Sequence, residues 1–430
     1  MTTAAPTALL ALGALAALVV AVIALRALPR GSVVAWVLVL FFVPVWVGIS
    51  VGFFWSAITA LTVLLLLVSW ARVSLRLADG WMAAFLIVLC GMFALKGVAL
   101  SPTVTAVLEW VVPYVWGRVA CARVGVRWVT RTIAGVAVVA AVLGVLEFAT
   151  SFNPWVLVPG PEPLYSTWSE LQPRGGVLRV EGAFGHSIAF GTTLAMSSAF
   201  VIAARWRPAP TMLALGALVA AVVLTFSRTG AITLALTITL SVLLLPGLSR
   251  WLRAGIVGLG VVVAVVVPVL NSVLGAAGEE AEVSAEYRTD LLVLLRQVDL
   301  FGNAGDWATL VSGDFYLGYF ERSVDNALLS ILLRIGYVPT FLLIVVIFCA
   351  VLMMVRRQER SAGAIAVAGQ MPSLVVVAMI TQYGTFFWFC VGLAITSGAA
   401  ASGQPDDEIV LERPGRGAGI PVPSRSLWAP

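Results

Sequence analysis

The chain of 430 residues has one histidine, His186, one lysine, Lys96, and four cysteines. A single imidazole removes the common histidine-based metal sites and proton relays. Cys90, Cys121, Cys349 and Cys390 each fall inside an apolar run, which supports neither a disulfide framework nor a thiolate metal site. Charged residues make up only 11% of the chain, far below the soluble globular norm of about 25%. The short alternating segments of a membrane β-barrel are missing as well, because the apolar runs are continuous, as in Ala8 to Leu25 and Gly255 to Leu274.

What fills the chain is hydrocarbon. Hydrophobic residues are 61% of the sequence and the mean hydropathy is +1.03, so an all-α, polytopic helical membrane protein is expected. Apolar runs predict helices near 7–25, 33–50, 54–70, 81–100, 103–121, 132–150, 183–204, 209–226, 229–245, 254–274 and 326–350. Two shorter ones, near 363–381 and 385–401, are expected to turn at Thr381 to Thr385. The total is about thirteen crossings in one transmembrane domain over 1–401. Residues 402–430, rich in proline and glycine, read as a disordered tail. The first apolar run has no charged segment ahead of it and is not expected to be a cleaved signal.

Arginine gives the orientation. The sets Arg26/Arg30, Arg72/Arg76, Arg118/Arg123/Arg127/Arg131, Arg205/Arg207, Arg250/Arg253 and Arg356/Arg357/Arg360 fall on alternate connections and mark the cytoplasmic side. The tail then lies in the cytoplasm, and the outer side receives the long loops at about 151–182 and 275–325. Within the second, Tyr287 to Leu300 predicts a short amphipathic helix. The basic balance, with a pI near 9.3, is spread between helices without a basic stripe and stacking aromatics, which argues against nucleic acid.

With the tail arginines also on the cytoplasmic side, the seven not assigned there are Arg174, Arg179, Arg228, Arg288, Arg296, Arg322 and Arg334. All fall on the outer side or beside it, against the positive-inside tendency, and an anionic ligand at that face is the simplest reason. Arg228 sits in a tight turn, Ser227-Arg228-Thr229-Gly230, where it is either a snorkelling side chain or a planar phosphate clamp. Arg179 and Glu181 precede a helix start with Gly182, Gly185 and Gly191; close helix packing is the plain explanation, a phosphate or sugar contact at a helix N-terminus the functional one. His186, by itself, reads as a satisfied polar residue. Asp325 and Asn326 stand where the second loop enters a helix, so Asp325 is either a helix cap or a general base toward a sugar hydroxyl. Arg334 should lie about 12 Å deeper along that helix. Lys96 is expected to pair with Glu109 or Glu147.

The stretches RVEGAFGHSIAFG from Arg179, SRTG from Ser227, YRTDLLVLLRQVDLFGNAGDW from Tyr287 and DNALLSILLRIGYVP from Asp325 together resemble the O-antigen ligase and O-antigen polymerase superfamily over roughly Phe41 to Ser397. The resemblance implies a bacterial plasma-membrane enzyme that needs no cofactor and no metal. It would transfer a glycan from its polyprenyl diphosphate to an acceptor hydroxyl at the outer face, with a flippase and a chain-length regulator as further partners. By motif position, Arg179, Arg228 and Arg288 would hold the diphosphate and Asp325 would take the proton. Glu181, His186, Asn326 and Arg334 would line the substrate site. Ligases of this superfamily usually carry His-Asn where this chain has Asp325-Asn326, a form closer to the polymerases. The rival expectations are a transporter of an anionic solute, which predicts inverted repeats and broken helices, and a non-catalytic scaffold.

Overall fold

The computed structural model describes residues 19–69, 71–174, 176–273, 291–304, 311–312, 315–316, 324, 326–356 and 360–400. It is mostly helical, with 75% helix and 3% strand. The chain opens with α1 (Val19–Ala27) and α2 (Pro29–Phe42), bent by 115° to one another. A helix was expected to run on to residue 50, but Pro44 has no amide hydrogen to give a helix and drives Val43 extended, at φ −104° and ψ 117°. In place of that helix stands an antiparallel hairpin, β1 (Gly48–Val51) and β2 (Phe53–Ser56), turning at Gly52 with φ +73°. Its β-branched and aromatic residues suit a strand as well as an apolar helix. Ser56 then caps α3 (Ala57–Val68), accepting the Thr59 amide.

Next come α4 (Leu77–Ala94), α5 (Leu100–Thr105), a π-helical turn (Ala106–Val111), α6 (Val112–Val124) and α7 (Val126–Thr150). A long connection carries the short α8 (Leu164–Trp168) and a two-residue hairpin of β3 (Pro173–Arg174) with β4 (Val177–Leu178). Beyond it lie three apolar helices, α9 (Ser187–Ala203), α10 (Pro208–Leu224) and α11 (Arg228–Leu244), then α12 (Arg250–Val273). In the second long loop, the expected amphipathic α-helix is a 3-10 helix over Leu291–Gln297, and β5 (Val311–Ser312) pairs with β6 (Phe315–Tyr316).

The last third departs most from expectation. The helix predicted over 326–350 is two, α13 (Ala327–Ile335) and α14 (Tyr337–Val355), broken at Gly336 with φ +87°. There the carbonyls of Asp299 and Leu300 accept the amides of Tyr337 and Val338, and a Cβ on Gly336 would lie 2.9 Å from the Asp299 oxygen. Next, α15 (Ala362–Gly369) passes through a 3-10 turn (Met371–Val375) to α16 (Thr381–Ala400). Thr381 to Thr385, expected as the turn, instead starts α16; the irregular stretch is 376–380.

The interior is built around helices buried on every side, α9 and α15 and most of α16, with α16 against α6 and α9 against α7, α10 and α11. Close crossings need glycine: a Cβ on Gly392 would lie 2.0 Å from the Tyr114 carbonyl and one on Gly117 2.2 Å from that of Phe389. An ion pair between the buried Arg118 and the part-buried Asp79, at 2.7 Å, ties α6 to α4. Arg118 also donates to Thr396 of α16 at 3.0 Å, and Tyr114 donates to Asp79 at 2.6 Å.

Among the described residues, α4, α7 and α14 are long and apolar enough to cross a membrane, and a fourth crossing arises if α1 and α2 count as one bent span. Five shorter apolar helices, including α9, α10 and α11 of 17 residues each, accompany them. Seventeen residues reach about 25 Å. The crossings expected at 7–25 and the tail at 402–430 lie partly or wholly outside the described residues.

Candidate functional site

Two of the stretches singled out in the sequence, those of Arg179 and Arg228, are brought together by hydrogen bonds. The Val180 amide donates to the Leu224 carbonyl at 3.2 Å, and Arg179 Nε donates to the Thr225 carbonyl at 2.9 Å. This sets the half-buried Arg179 beside the turn that leads to Arg228. Ser227 caps α11 by accepting the Gly230 amide at 3.0 Å, and Arg228, the first residue of the helix, is exposed. Two arginines 49 positions apart thus belong to adjoining segments, one pinned by its backbone neighbours and one open to solvent.

Glu181 is buried at 1% exposure, and its carboxylate accepts the Gln172 amide at 3.2 Å. Burial pushes its pKa up to about 7; the Gln172 bond and the Arg179 charge oppose the rise, and the Glu147 carboxylate adds to it. His186 is the cap of α9, its Nδ1 accepting the Ile188 amide at 3.2 Å. Burial, then the charge of Arg179, push its pKa down to about 4, so at neutral pH it is an uncharged imidazole. The helix predicted from residue 183 begins at Ser187, after a 3-10 turn over Gly182–Phe184 and a left-handed Gly185, φ +62°. A Cβ on Gly185 would lie 2.3 Å from the Trp168 carbonyl.

At the second junction the cap is Asn326, whose Oδ1 accepts the Leu329 amide at 2.9 Å. Asp325 and Arg288, assigned to base and clamp in the sequence, lie outside the described residues. The Ala327 amide donates to the Val377 carbonyl at 3.0 Å, which joins this junction to the irregular stretch before α16. Arg334 lies on the helix that Asn326 caps, eight residues beyond it. It occupies the last turn of the nine-residue α13, whose Leu333 and Ile335 carbonyls accept the amides of Ala304 and Gly302 in the loop. Its positive charge acts on Glu109, in the π-helical turn, without an ion pair between them. Among the described residues Lys96 makes no ion pair with Glu109 or Glu147, and Glu147 is engaged by backbone amides.

Sequence reasoning missed two features. Glu147, in the last turn of α7, accepts the amides of Glu181 (3.1 Å) and Gly182 (3.0 Å) and the side-chain amide of Asn153 (2.9 Å). Beside it, between Glu147, Asn153 and Arg179, is a cavity of about 10 Å³, room for one water molecule. The second is a buried polar knot, in which Ser373 Oγ and Tyr383 Oη lie 2.6 Å apart and Gln382 Nε2 donates to Val43 (2.8 Å) and Ala183 (3.3 Å) carbonyls. Its signal in the sequence is Gln370 and Ser373, and the run Thr381 to Tyr383, between apolar helices. Gln382 ties α16 directly to the segment that carries Arg179.

Among the described residues no three of His, Cys, Asp and Glu gather as metal ligands. No family model matches the chain, and no characterised protein matches it.

Proposed function

We propose that the protein is a polytopic membrane glycosyltransferase of a bacterial plasma membrane. It polymerises, or ligates, oligosaccharide repeats carried on a polyprenyl diphosphate. The single observation that carries this is the junction of the Arg179 segment with the turn before Arg228 at the loop-bearing end of an apolar bundle. Guanidinium groups offer planar, bidentate donors to phosphate oxygens, and two of them on adjoining segments suit a diphosphate.

In this mechanism a hydroxyl on one lipid-linked repeat attacks the anomeric carbon of another. The bond from that carbon to the diphosphate oxygen breaks, and its electron pair leaves with the diphosphate. Asp325 takes the hydroxyl proton, and Arg179, Arg228 and Arg288 stabilise the charge that develops, which is often the largest catalytic contribution. Asn326, Arg334, Glu181 and His186 line the site. The loop-bearing end faces outward and the tail inward, with a flippase supplying substrate and a chain-length regulator as partner. Purified protein in nanodiscs, given a polyprenyl-diphosphate-linked repeat, is expected to form longer lipid-linked chains, and Arg228→Ala to abolish them. No product from the wild type would end this assignment.

A second function, transport of an anionic solute, draws on the broken helices, namely the α15 to α16 interruption with its buried glutamines and the break at Gly336. Solute uptake by proteoliposomes without glycan transfer would favour it.

A further inference from the structure

Glu147 stands out as a carboxylate in the wrong place. It lies at 7% exposure in the last turn of the 25-residue apolar α7, where the helix dipole disfavours negative charge and burial of an unpaired carboxylate is costly. Nothing in the helix itself compensates. The compensation comes from another segment: one carboxylate oxygen takes the Glu181 amide and the other the Gly182 amide, two successive N–H groups forming a small anion cradle. Gly182 adopts φ +54° to turn its amide inward. Asn153 closes the arrangement, donating both to Glu147 and to the Gly182 carbonyl at 3.1 Å. One turn back along α7, Gly144 leaves space for Val180; a Cβ there would lie 2.9 Å from the Val180 side chain. The segment 180–182 is thereby fastened to α7 on one side, while the Val180 amide and the Arg179 side chain fasten it to 224–225 on the other.

We infer that Glu147 is a positioning residue: by holding the Glu181 and Gly182 amides it sets the Arg179 guanidinium toward the turn before Arg228, and so prepares the diphosphate subsite. The inference rests on the glycan-transfer reading for its ligand, but its mechanical core does not. Glu147→Gln keeps the shape but replaces one accepting oxygen with an NH2 group that faces a backbone N–H, so one of the two amides loses its partner.

The test uses the full-length protein in nanodiscs, as wild type, Glu147→Gln, Arg179→Ala and the double variant. Binding of undecaprenyl diphosphate alone is measured, together with kcat and KM for the lipid-linked repeat. Glu147→Gln is expected to weaken diphosphate binding and lower kcat/KM by about tenfold to a hundredfold, the scale of a small misplacement in a binding site. In the Arg179→Ala background it should have no further effect, because it acts through that arginine. Effects that multiply would overturn the inference. Hydrogen exchange at the Glu181 and Gly182 amides is the independent arm: it should accelerate in Glu147→Gln, with the far helices unchanged, and unchanged exchange would overturn the inference whatever the ligand. Absence of diphosphate binding by the wild type, with exchange accelerated in the variant, would instead strike the glycan-transfer assignment and leave the positioning role standing.

Discussion

Replacing Gly392 by alanine puts the packing of α16 on α6 to a quantitative test. The added Cβ would sit 2.0 Å from the Tyr114 carbonyl oxygen, whereas ordinary contact begins at 3.4 Å, so the two backbones must part by about 1.4 Å at that point. Both atoms belong to helices, and neither can swing away as a side-chain tip would. One turn further along α16, Thr396 accepts from Arg118 Nη1 at 3.0 Å, and a separation of that size takes the pair out of hydrogen-bonding range. Overpacking of about 1–3 kcal/mol and loss of a charged hydrogen bond of about 1.5–3 kcal/mol combine to about 3 kcal/mol or more. The assay is the midpoint of heat-induced loss of monodisperse, detergent-solubilised fluorescent fusion. Gly392→Ala should lower the midpoint clearly. Gly80→Ala, in α4 with no atom within 4 Å of the new methyl, should leave it unchanged or raise it. Equal midpoints for Gly392→Ala and wild type would refute the crossing geometry.

Other substitutions probe the buried charges and a second close crossing. Arg118→Ala removes the charged partner of the part-buried Asp79, which keeps the Tyr114 hydroxyl and the Arg76 amide, and should destabilise by about 1.5–3 kcal/mol, read as loss of folded yield, with Asp79→Asn/Arg118→Met restoring part of it. Glu181, with its folded pKa raised to about 7, contributes stability that is present below its ordinary pKa of 4.5 and is lost as pH rises through 7. His186, lowered to about 4, contributes stability present above 6.5 that is lost as pH falls through 4. Glu181→Gln should therefore be more heat-stable than wild type at pH 8 and equal at pH 4, and His186→Asn, which keeps a cap, should lose less stability between pH 6.5 and 4 than wild type. Gly369→Ala would place a Cβ 2.0 Å from Thr237 Oγ1 and should destabilise, with Thr237→Ala recovering part of the loss in the same thermal assay.

The helical character of the chain was legible because long apolar runs have few other solutions. The runs at 81–100, 132–150 and 229–245 correspond to α4, α7 and α11, each shifted by a few residues. Apolarity alone could not mark where a helix stops. Pro44 ended α2 early, and Gly336 broke a segment that hydropathy reads as continuous, because loop carbonyls of Asp299 and Leu300 approach where any Cβ would clash. The number of crossings suffered from the same blindness, since runs of similar hydropathy became helices of very different length. At the site, the sequence signalled Arg179 and Arg228 through charge in an apolar setting, and tertiary hydrogen bonds bring their segments together. It held no sign that Glu147 would reach the Glu181 and Gly182 amides, 34 and 35 positions away. Those partners are chosen by the fold, and a lone carboxylate in a run of valines and alanines does not say which amide it meets.

The most direct test of the proposed activity is mass spectrometry of polyprenyl-diphosphate-linked glycans from a strain lacking the protein, complemented with wild type or with Arg228→Ala. Single repeats should accumulate in the deletion, disappear with the wild type and persist with the variant; accumulation of long lipid-linked chains would place the protein at ligation after polymerisation. A lipid-linked pool that is the same in all three strains would contradict glycan transfer as its function.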